Sequence, residues 1–336
     1  MTLPNRIRDL DAGTVMIVTD LHGDWARYRR YRDRFFELRD AGRADVLLFT
    51  GDLIHSEGSA ETDRSLDILL DLIDLQSKLG DRLVVLLGNH EMPHLYHVML
   101  AKGDHVYTPR FEAALGHHRG AVISFLRTLP FFARTRGGVT ICHAGGFPGA
   151  GDPEVWKMLR TFSHEDVLRK LQHRVPAYER PRLRHALAHI VGEPYDHLAR
   201  KALAVTGPND PRYDDYLMGM LVAYEPEFER LWSVLFSTNE QEVGMAAYAD
   251  QVEDLLEALS RDYAPQRAVV TGHIGCRGGT RILARGRQMR VASGAHAHPP
   301  SSAKYLLLDA TRPVSDARDL REGLCTQNGP RHSQSA

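Results

Sequence analysis

The sequence predicts an α/β fold organised around a parallel sheet, and three observations lead there. Short apolar, β-branched runs recur at 14–19, 46–50 and 83–87. Each is cut off by a cluster of Gly, Asp, His or Asn, and amphipathic stretches separate the runs. Strand, loop and helix in alternation favour parallel pairing with right-handed crossovers.

Residues 14–19 (TVMIVT) read as a buried strand stopped at Asp20. Trp25, Tyr28, Phe35 and Leu38 then recur at near-helical spacing among arginines, with Gly42 as the stop. The run at 46–50 ends at Gly51-Asp52. Leu66, Leu69, Leu70 and Ile73 mark a second amphipathic helix, ending near Gly80. The run at 83–87 ends at Gly88-Asn89-His90-Glu91. The pattern returns twice: 139–142 runs into His143-Ala144-Gly145-Gly146, and 268–271 into Gly272-His273. A final strand pair is expected at 288–293 and 304–309. A polar tail, 326–336, is expected to be disordered. Residues 152–262 read as mostly helical, with Pro-containing breaks near 176–181 and 207–211. The expected organisation is one domain, 1–325, with a helical insertion at about 152–262.

Composition narrows the function. Of 336 residues 43% are apolar and 25% charged, ordinary for a chain with a real core. Forty-two basic side chains balance 43 acidic ones, which argues against a nucleic-acid or membrane-surface binder. No apolar run approaches the ~18 residues needed to cross a bilayer. The N-terminal MTLPNRIRDLDAG has no basic-then-apolar leader, and three scattered cysteines make neither a disulfide framework nor a zinc knuckle. A cytoplasmic protein is expected.

The strand ends carry the chemistry. In order they present Asp20-x-His22, Asp52, Asn89-His90, His143 and Gly272-His273. A lone Asp-x-His after a strand is usually a turn. Five such elements, each directly after a predicted strand, are not what independent turns produce. Divalent ions take carboxylate, amide oxygen and imidazole nitrogen. Two such ions at ~3.5–4 Å need a shared carboxylate between them. Asp20 and His22, two apart on extended chain, point the same way and suit one ion. Asp52 suits the bridge. Asn89, His143 and His273 would complete a second site.

These motifs resemble the calcineurin-like metallophosphoesterase superfamily, its phosphoprotein phosphatase (serine/threonine phosphatase) branch above all. G-D-x-H-G appears as Thr19-Asp20-Leu21-His22-Gly23, and G-D-x-x-x-R in part as Gly51-Asp52-Leu53-Ile54-His55-Ser56. G-N-H-E is intact at 88–91, and H-G-G-x-x-P appears one residue longer at 143–149. Leu129-Pro130, Leu231-Trp232-Ser233 and the position of 293–298 resemble the same branch. Gly275, where other members carry a second histidine, favours it further.

The resemblance covers roughly 14–150 and 230–310. It implies a four-layer α/β/β/α sandwich of two mixed sheets, the metallophosphatase fold, with the helical insertion near the metals. Asp20, His22 and Asp52 would hold one metal; Asp52, Asn89, His143 and His273 the other. A metal-bridging hydroxide would attack phosphorus, and His90 would protonate the leaving oxygen. Asn89 and His90 would also contact the phosphate. The ions are two divalent metals, Mn²⁺ first, with Fe or Zn as alternatives. The implied partner is a phosphorylated protein or a small phosphoester, with a possible protein partner for the insertion.

Two departures bear on substrate. His55-Ser56 replaces the family's aspartate–arginine pair, which orients the acid and clamps phosphate. The second phosphate arginine is absent from Asn239-Glu240-Gln241-Glu242. His55 or Glu57 could take the orienting role, and Arg277 could supply a new phosphate contact. His94 and His97 read as sharing a helix face, solvated or supporting rather than ligating. His296 and His298 are candidates to line the mouth of the site. Cys142 reads as a packed thiol. The rivals to a protein phosphatase-like hydrolase are a nucleotide or diadenosine polyphosphate hydrolase with the same centre, and a metal-binding scaffold without turnover.

Overall fold

Two sheets face each other across an apolar seam, and the computed structural model describes this arrangement for residues 5–326. The first sheet contains β1 (Ile7–Leu10), and the second contains β2 (Thr14–Val18), β3 (Val46–Phe49) and β4 (Leu83–Val85). The chain then returns to the first sheet with β5 (Phe132–Thr135), β6 (Val139–Cys142), β7 (Ala268–Thr271), β8 (Thr280–Leu283) and β9 (Gln288–Val291). It ends in the second with β10 (Lys304–Asp309) and β11 (Leu324–Thr326). The strand orders are β1-β5-β6-β7-β9-β8 and β11-β10-β2-β3-β4. β2, β3 and β4 pair in parallel, as the alternating sequence pattern requires, with Ile17 opposite Leu48 and Leu48 opposite Val84.

Alternation along each strand builds two separate cores. Val15, Ile17, Leu48 and Val84 meet Ala133, Ile141, Val270 and Met289 between the sheets. Met16, Val18, Leu47 and Phe49 point the other way, under helices α1 (Trp25–Asp40) and α2 (Ser65–Leu79). α1 starts where Asp24 Oδ1 accepts the Arg27 N–H at 2.9 Å, and it buries Tyr28, Tyr31, Phe35 and Leu38. Each of these large apolar side chains contributes about 1.5–3 kcal/mol by burial. Beyond β4 come α3 (Met92–Tyr96), α4 (Thr108–Leu115) and α5 (Arg119–Thr128).

The helical block comprises α6 (Pro153–Arg160), α7 (His164–Arg174), α8 (Arg180–Val191), α9 (Tyr195–Leu203), α10 (Asp215–Val222), α11 (Pro226–Phe236), α12 (Glu240–Val243) and α13 (Met245–Ser260). It does two things. Trp156 and Leu159 of α6 and Leu255 and Leu256 of α13 pack with Phe132, Cys142 and Val269, covering the outer face of the first sheet. α8, α9 and α10 instead gather around their own cluster of Tyr195, Leu198, Leu203 and Tyr216, and α9 packs on α4.

Two expectations need correction. Residues 288–291 and 304–309 are strands but do not pair: β9 lies beside β7 and β8, and β10 lies between β2 and β11. Apolar content identified both, but only the sandwich separates them. The expected disordered tail begins too early, because Thr326 closes β11 against Lys304; its remainder, 327–336, lies outside the described residues.

Candidate metal centre

Five loops converge beyond the carboxyl ends of β2, β3, β4, β6 and β7. Asp20, His22, Asp52 and His273 all take left-handed backbone, with φ of 41°, 46°, 52° and 68°. Non-glycine residues rarely do so, and surrounding contacts must hold them there. The N–H groups of Leu21 and His22 both donate to the Asp52 carbonyl, at 2.9 and 3.0 Å. Asp20 Oδ1 accepts the His273 N–H at 2.8 Å, and Asp52 Oδ1 accepts the His90 N–H at 3.0 Å. One oxygen of each carboxylate is thus spent on locking a neighbouring loop. Gly88 and Gly272 are required by close approach: a Cβ at 272 would collide with Asp20 Oδ2, and one at 88 with Asp52.

The remaining donor atoms point inward. Asp20 Oδ2 and both ring nitrogens of His22 are buried with no hydrogen-bond partner. Such groups are costly unless something pairs with them. On the other side His143 donates Nδ1–H to the Thr50 carbonyl at 2.9 Å, which turns its Nε2 into the site. Around that Nε2 stand Asn89 Oδ1 at 2.8 Å, His273 Nδ1 at 3.0 Å and Asp52 Oδ2 at 3.4 Å. These donor atoms repel one another unless positive charge, a proton on His143 Nε2 or a cation, lies among them. Three overlapping sets, Asp20–His22–His296, His22–Asp52–His90 and Asp52–His143–His273, each bring ligand atoms within 4.8 Å of one another. The mixed carboxylate, amide and imidazole set fits divalent ions of the Mn, Fe or Zn type.

Electrostatics agree. Burial alone would raise the Asp52 carboxyl, yet the facing imidazoles of His143 and His90 hold it well below the carboxylate range. Burial opposes charge on His143, but the Asp52 carboxylate raises it to about 9. Burial, and then the neighbouring His143, lowers His273 to about 3. Burial likewise brings His90 down to about 4. Two buried carboxylates therefore attract positive charge: against burial, Asp52 raises His143 and Asp20 raises His296, whereas burial lowers His22, His90 and His273.

All six expected ligands and His90 come together. His22, Asp52, Asn89, His90 and His273 line one side of a cleft of about 680 Å³ whose other walls include Arg27, Glu57, Lys102, Tyr107, His296 and His298, while Asp20 and His143 are buried and do not line it. Arg277 is exposed on a two-residue ladder, Cys276–Arg277 beside Ala297–His298, and is not among the residues lining the cleft. His94 and His97 do not share a face. His97 ends α3 in left-handed backbone and turns to Arg119, while His94 is fully buried beneath His55.

Sequence reading placed His296 only at the mouth, whereas its Nδ1 stands 3.6 Å from Asp20 Oδ1 and its ring lies edge-on to His22. Thr19 and Ser293 exchange hydrogen bonds that carry the 293–298 segment there. The alternating His296 and His298 were its only signal. Glu112 was missed altogether; a glutamate beside Phe111 and Leu115, on the buried face of α4, was the available sign.

A family model described as calcineurin-like phosphoesterase matches residues 13–224, more than half of the chain. No curated protein matches the sequence. Among solved structures, a protein serine/threonine phosphatase from Saccharomyces cerevisiae with similarity to human phosphatase PP5 is 12% identical, with a TM-score of 0.46 over 90% of this chain and 76% of that one. A cold-active protein-tyrosine phosphatase of a psychrophile Shewanella sp. is 15% identical, with a TM-score of 0.45 over 92% and 79%. A metallophosphoesterase from Sphaerobacter thermophilus is 20% identical over 40% and 47%, with a TM-score of 0.27. The matched span contains Asp20, His22, Asp52, Asn89, His90 and His143, and the chain belongs to the calcineurin-like phosphoesterase family of metal-dependent phosphoester hydrolases.

Proposed function

We propose that the chain hydrolyses phosphomonoesters at a two-metal centre, as a serine/threonine protein phosphatase-like enzyme. The observation that supports this most is the position of Asp52, whose Oδ2 faces His22 at 3.8 Å and His143 at 3.4 Å. One carboxylate thereby belongs to two of the overlapping ligand sets. Asp20, His22 and Asp52 would hold one ion, with Mn²⁺ the first choice. Asp52, Asn89, His143 and His273 would hold the other.

When bound, the two cations neutralise phosphoryl charge and lower the pKa of water to make a nucleophile at neutral pH. The protein supplies the rest. His90 lines the cleft with its Nε2 on the side of Asp52, 4.0 Å from Oδ2, where it can donate a proton to a departing oxygen. Asn89 sits beside it to orient a phosphate oxygen. Among the described residues no helix is long and apolar enough to cross a membrane. Three unpaired cysteines, with Cys142 buried and pushed up to about 12 by burial, suit a reducing cytoplasm.

A second reading, hydrolysis of nucleotide or diadenosine polyphosphates, is favoured by one feature of the cleft. Among the described residues Arg27 and Lys102 are its only lysine or arginine side chains, and each is paired with an acid, Asp24 and Glu57. The bidentate arginine clamp expected for a phosphoprotein is missing. Turnover of phosphopeptide against diadenosine tetraphosphate by the purified, Mn²⁺-loaded chain separates the two readings. Asp52→Asn should lose metal and activity together; His90→Asn should keep metal and slow turnover about 10²-fold or more. Full metal occupancy without turnover of para-nitrophenyl phosphate would leave only a scaffold.

A further inference from the structure

Behind His90 runs an unbroken chain of buried hydrogen bonds that the hydrolytic reading does not use. His90 Nδ1 is 3.1 Å from His55 Nδ1. His55 Nε2 is 2.8 Å from His94 Nε2, and His94 Nδ1 is 2.9 Å from Glu112 Oε1. His55, His94 and Glu112 are all at least 98% buried. Glu112 Oε2 is held by Arg119 at 3.2 Å and by Arg212 at 2.7 Å. Arg212 comes from the helical block, between α9 and α10, so that block reaches the back of the catalytic cleft.

The protons on this chain can be assigned from one end. Glu112, paired with two guanidinium groups, is ionised and can only accept. His94 therefore donates its Nδ1–H and, as a neutral ring, carries a lone pair on Nε2. His55 must then donate Nε2–H to it, leaving a lone pair on Nδ1. That lone pair can be satisfied only by Nδ1–H of His90. With the resting rings neutral, each tautomer is dictated by the next. The outcome is that His90 Nδ1 keeps its proton and Nε2, on the cleft side, is the atom that gains and loses one.

We propose that His55, His94 and Glu112 form a positioning relay that fixes the tautomer and aim of His90, with Arg212 tying the helical block to it. The relay rests on His90 being the acid proposed above. The step starts with His90 protonated on both nitrogens. A water oxygen forms its bond to phosphorus, and the P–O bond to the leaving group breaks with its electron pair going to the leaving oxygen. That oxygen takes the His90 Nε2 proton, which leaves the neutral ring with its proton on Nδ1, and the proton shed by the attacking water restores Nε2 for the next turnover. His55 stands where the resembling branch has an aspartate, so a single carboxylate acceptor is replaced by two rings and a carboxylate one layer deeper.

The test uses the full chain. With ¹⁵N-labelled histidine and diamagnetic Zn²⁺ loaded, long-range ¹H–¹⁵N spectra should show His94 and His90 as Nδ1–H and His55 as Nε2–H. His55 protonated on Nδ1 overturns the relay. Kinetics of the Mn²⁺-loaded chain then compare a good leaving group, para-nitrophenyl phosphate, with a poor one, phenyl phosphate. His55→Phe should lower kcat about 10²-fold on phenyl phosphate and less than about tenfold on para-nitrophenyl phosphate, with KM nearly unchanged. His55→Asp, which restores an acceptor for Nδ1–H, should recover most of the loss. Glu112→Gln should reproduce the same leaving-group dependence while the protein stays folded. Equal losses on both substrates, or no recovery in His55→Asp, overturn the proposal. His90→Asn with undiminished turnover would instead overturn the acid assignment, and the ring tautomers, which need no turnover, would still judge the relay.

Discussion

The Glu91 carboxylate accepts the backbone N–H of Asp52 at 2.9 Å, and its other oxygen accepts that of Leu53 at 2.7 Å. The last residue of the Gly-Asn-His-Glu motif thus works from behind the metal ligands, holding Asp52 in its left-handed backbone. Burial and then the nearby Asp52 charge push Glu91 up to about 7, so this support is achieved against electrostatic cost.

Glu91→Gln keeps the volume but turns a donor towards one of those two N–H groups. A buried donor left facing a donor costs about 1–3 kcal/mol. Loss of the support should weaken metal binding about 10–100-fold. Urea denaturation and Mn²⁺ titration measure the two effects. Unchanged affinity would show that Asp52 keeps its place unaided.

Gly272→Ala should displace Asp20. The added Cβ would collide with Asp20 Oδ2, one of the unpartnered inward atoms. The expected result is loss of one of two bound ions per chain with secondary structure intact, read by elemental analysis and far-ultraviolet circular dichroism. Two ions retained would mean that Oδ2 is not a ligand.

His296 lies against Asp20 and His22. If it serves the ion those residues hold, His296→Ala should weaken that ion by about 10–100-fold and leave the other alone. A Mn²⁺ titration resolves the two sites. Unchanged metal affinity with a raised KM would make His296 a substrate contact instead.

Glu112 gives a pH signature away from the metals. Burial would raise it, but the hydrogen bond from His94 and the two arginines bring it from the ordinary 4.5 to about 2. A folded-state value below the unfolded one means stability that is fully present above about pH 4.5 and lost as pH falls towards 2. A shift of that size is worth on the order of 3 kcal/mol. Unfolding free energies of wild type and Glu112→Gln, measured between pH 7 and 3, should differ most at neutral pH and converge on acidification. A constant difference would remove the charge from the account.

The sequence by itself determined the strand–loop–helix order, the six inward donors and His90, because apolar runs broken by Asp, His, Asn and Gly are local signals. A parallel sheet then brings the loops after β2, β3 and β4 to one edge, and the facing of the two sheets brings those after β6 and β7 to the same place. It also marked the missing arginine clamp. Only the tertiary structure decided that β9 and β10 belong to opposite sheets, that His296 reaches Asp20, and that His55 leads through His94 to Glu112. Glu112 is 22 residues from His90 in sequence and Arg212 is 100 beyond that. No periodicity records which buried polar side chains face one another. That pairing is fixed by how α3, α4 and the helical block pack, where an unpaired polar group would cost more than the fold could spare.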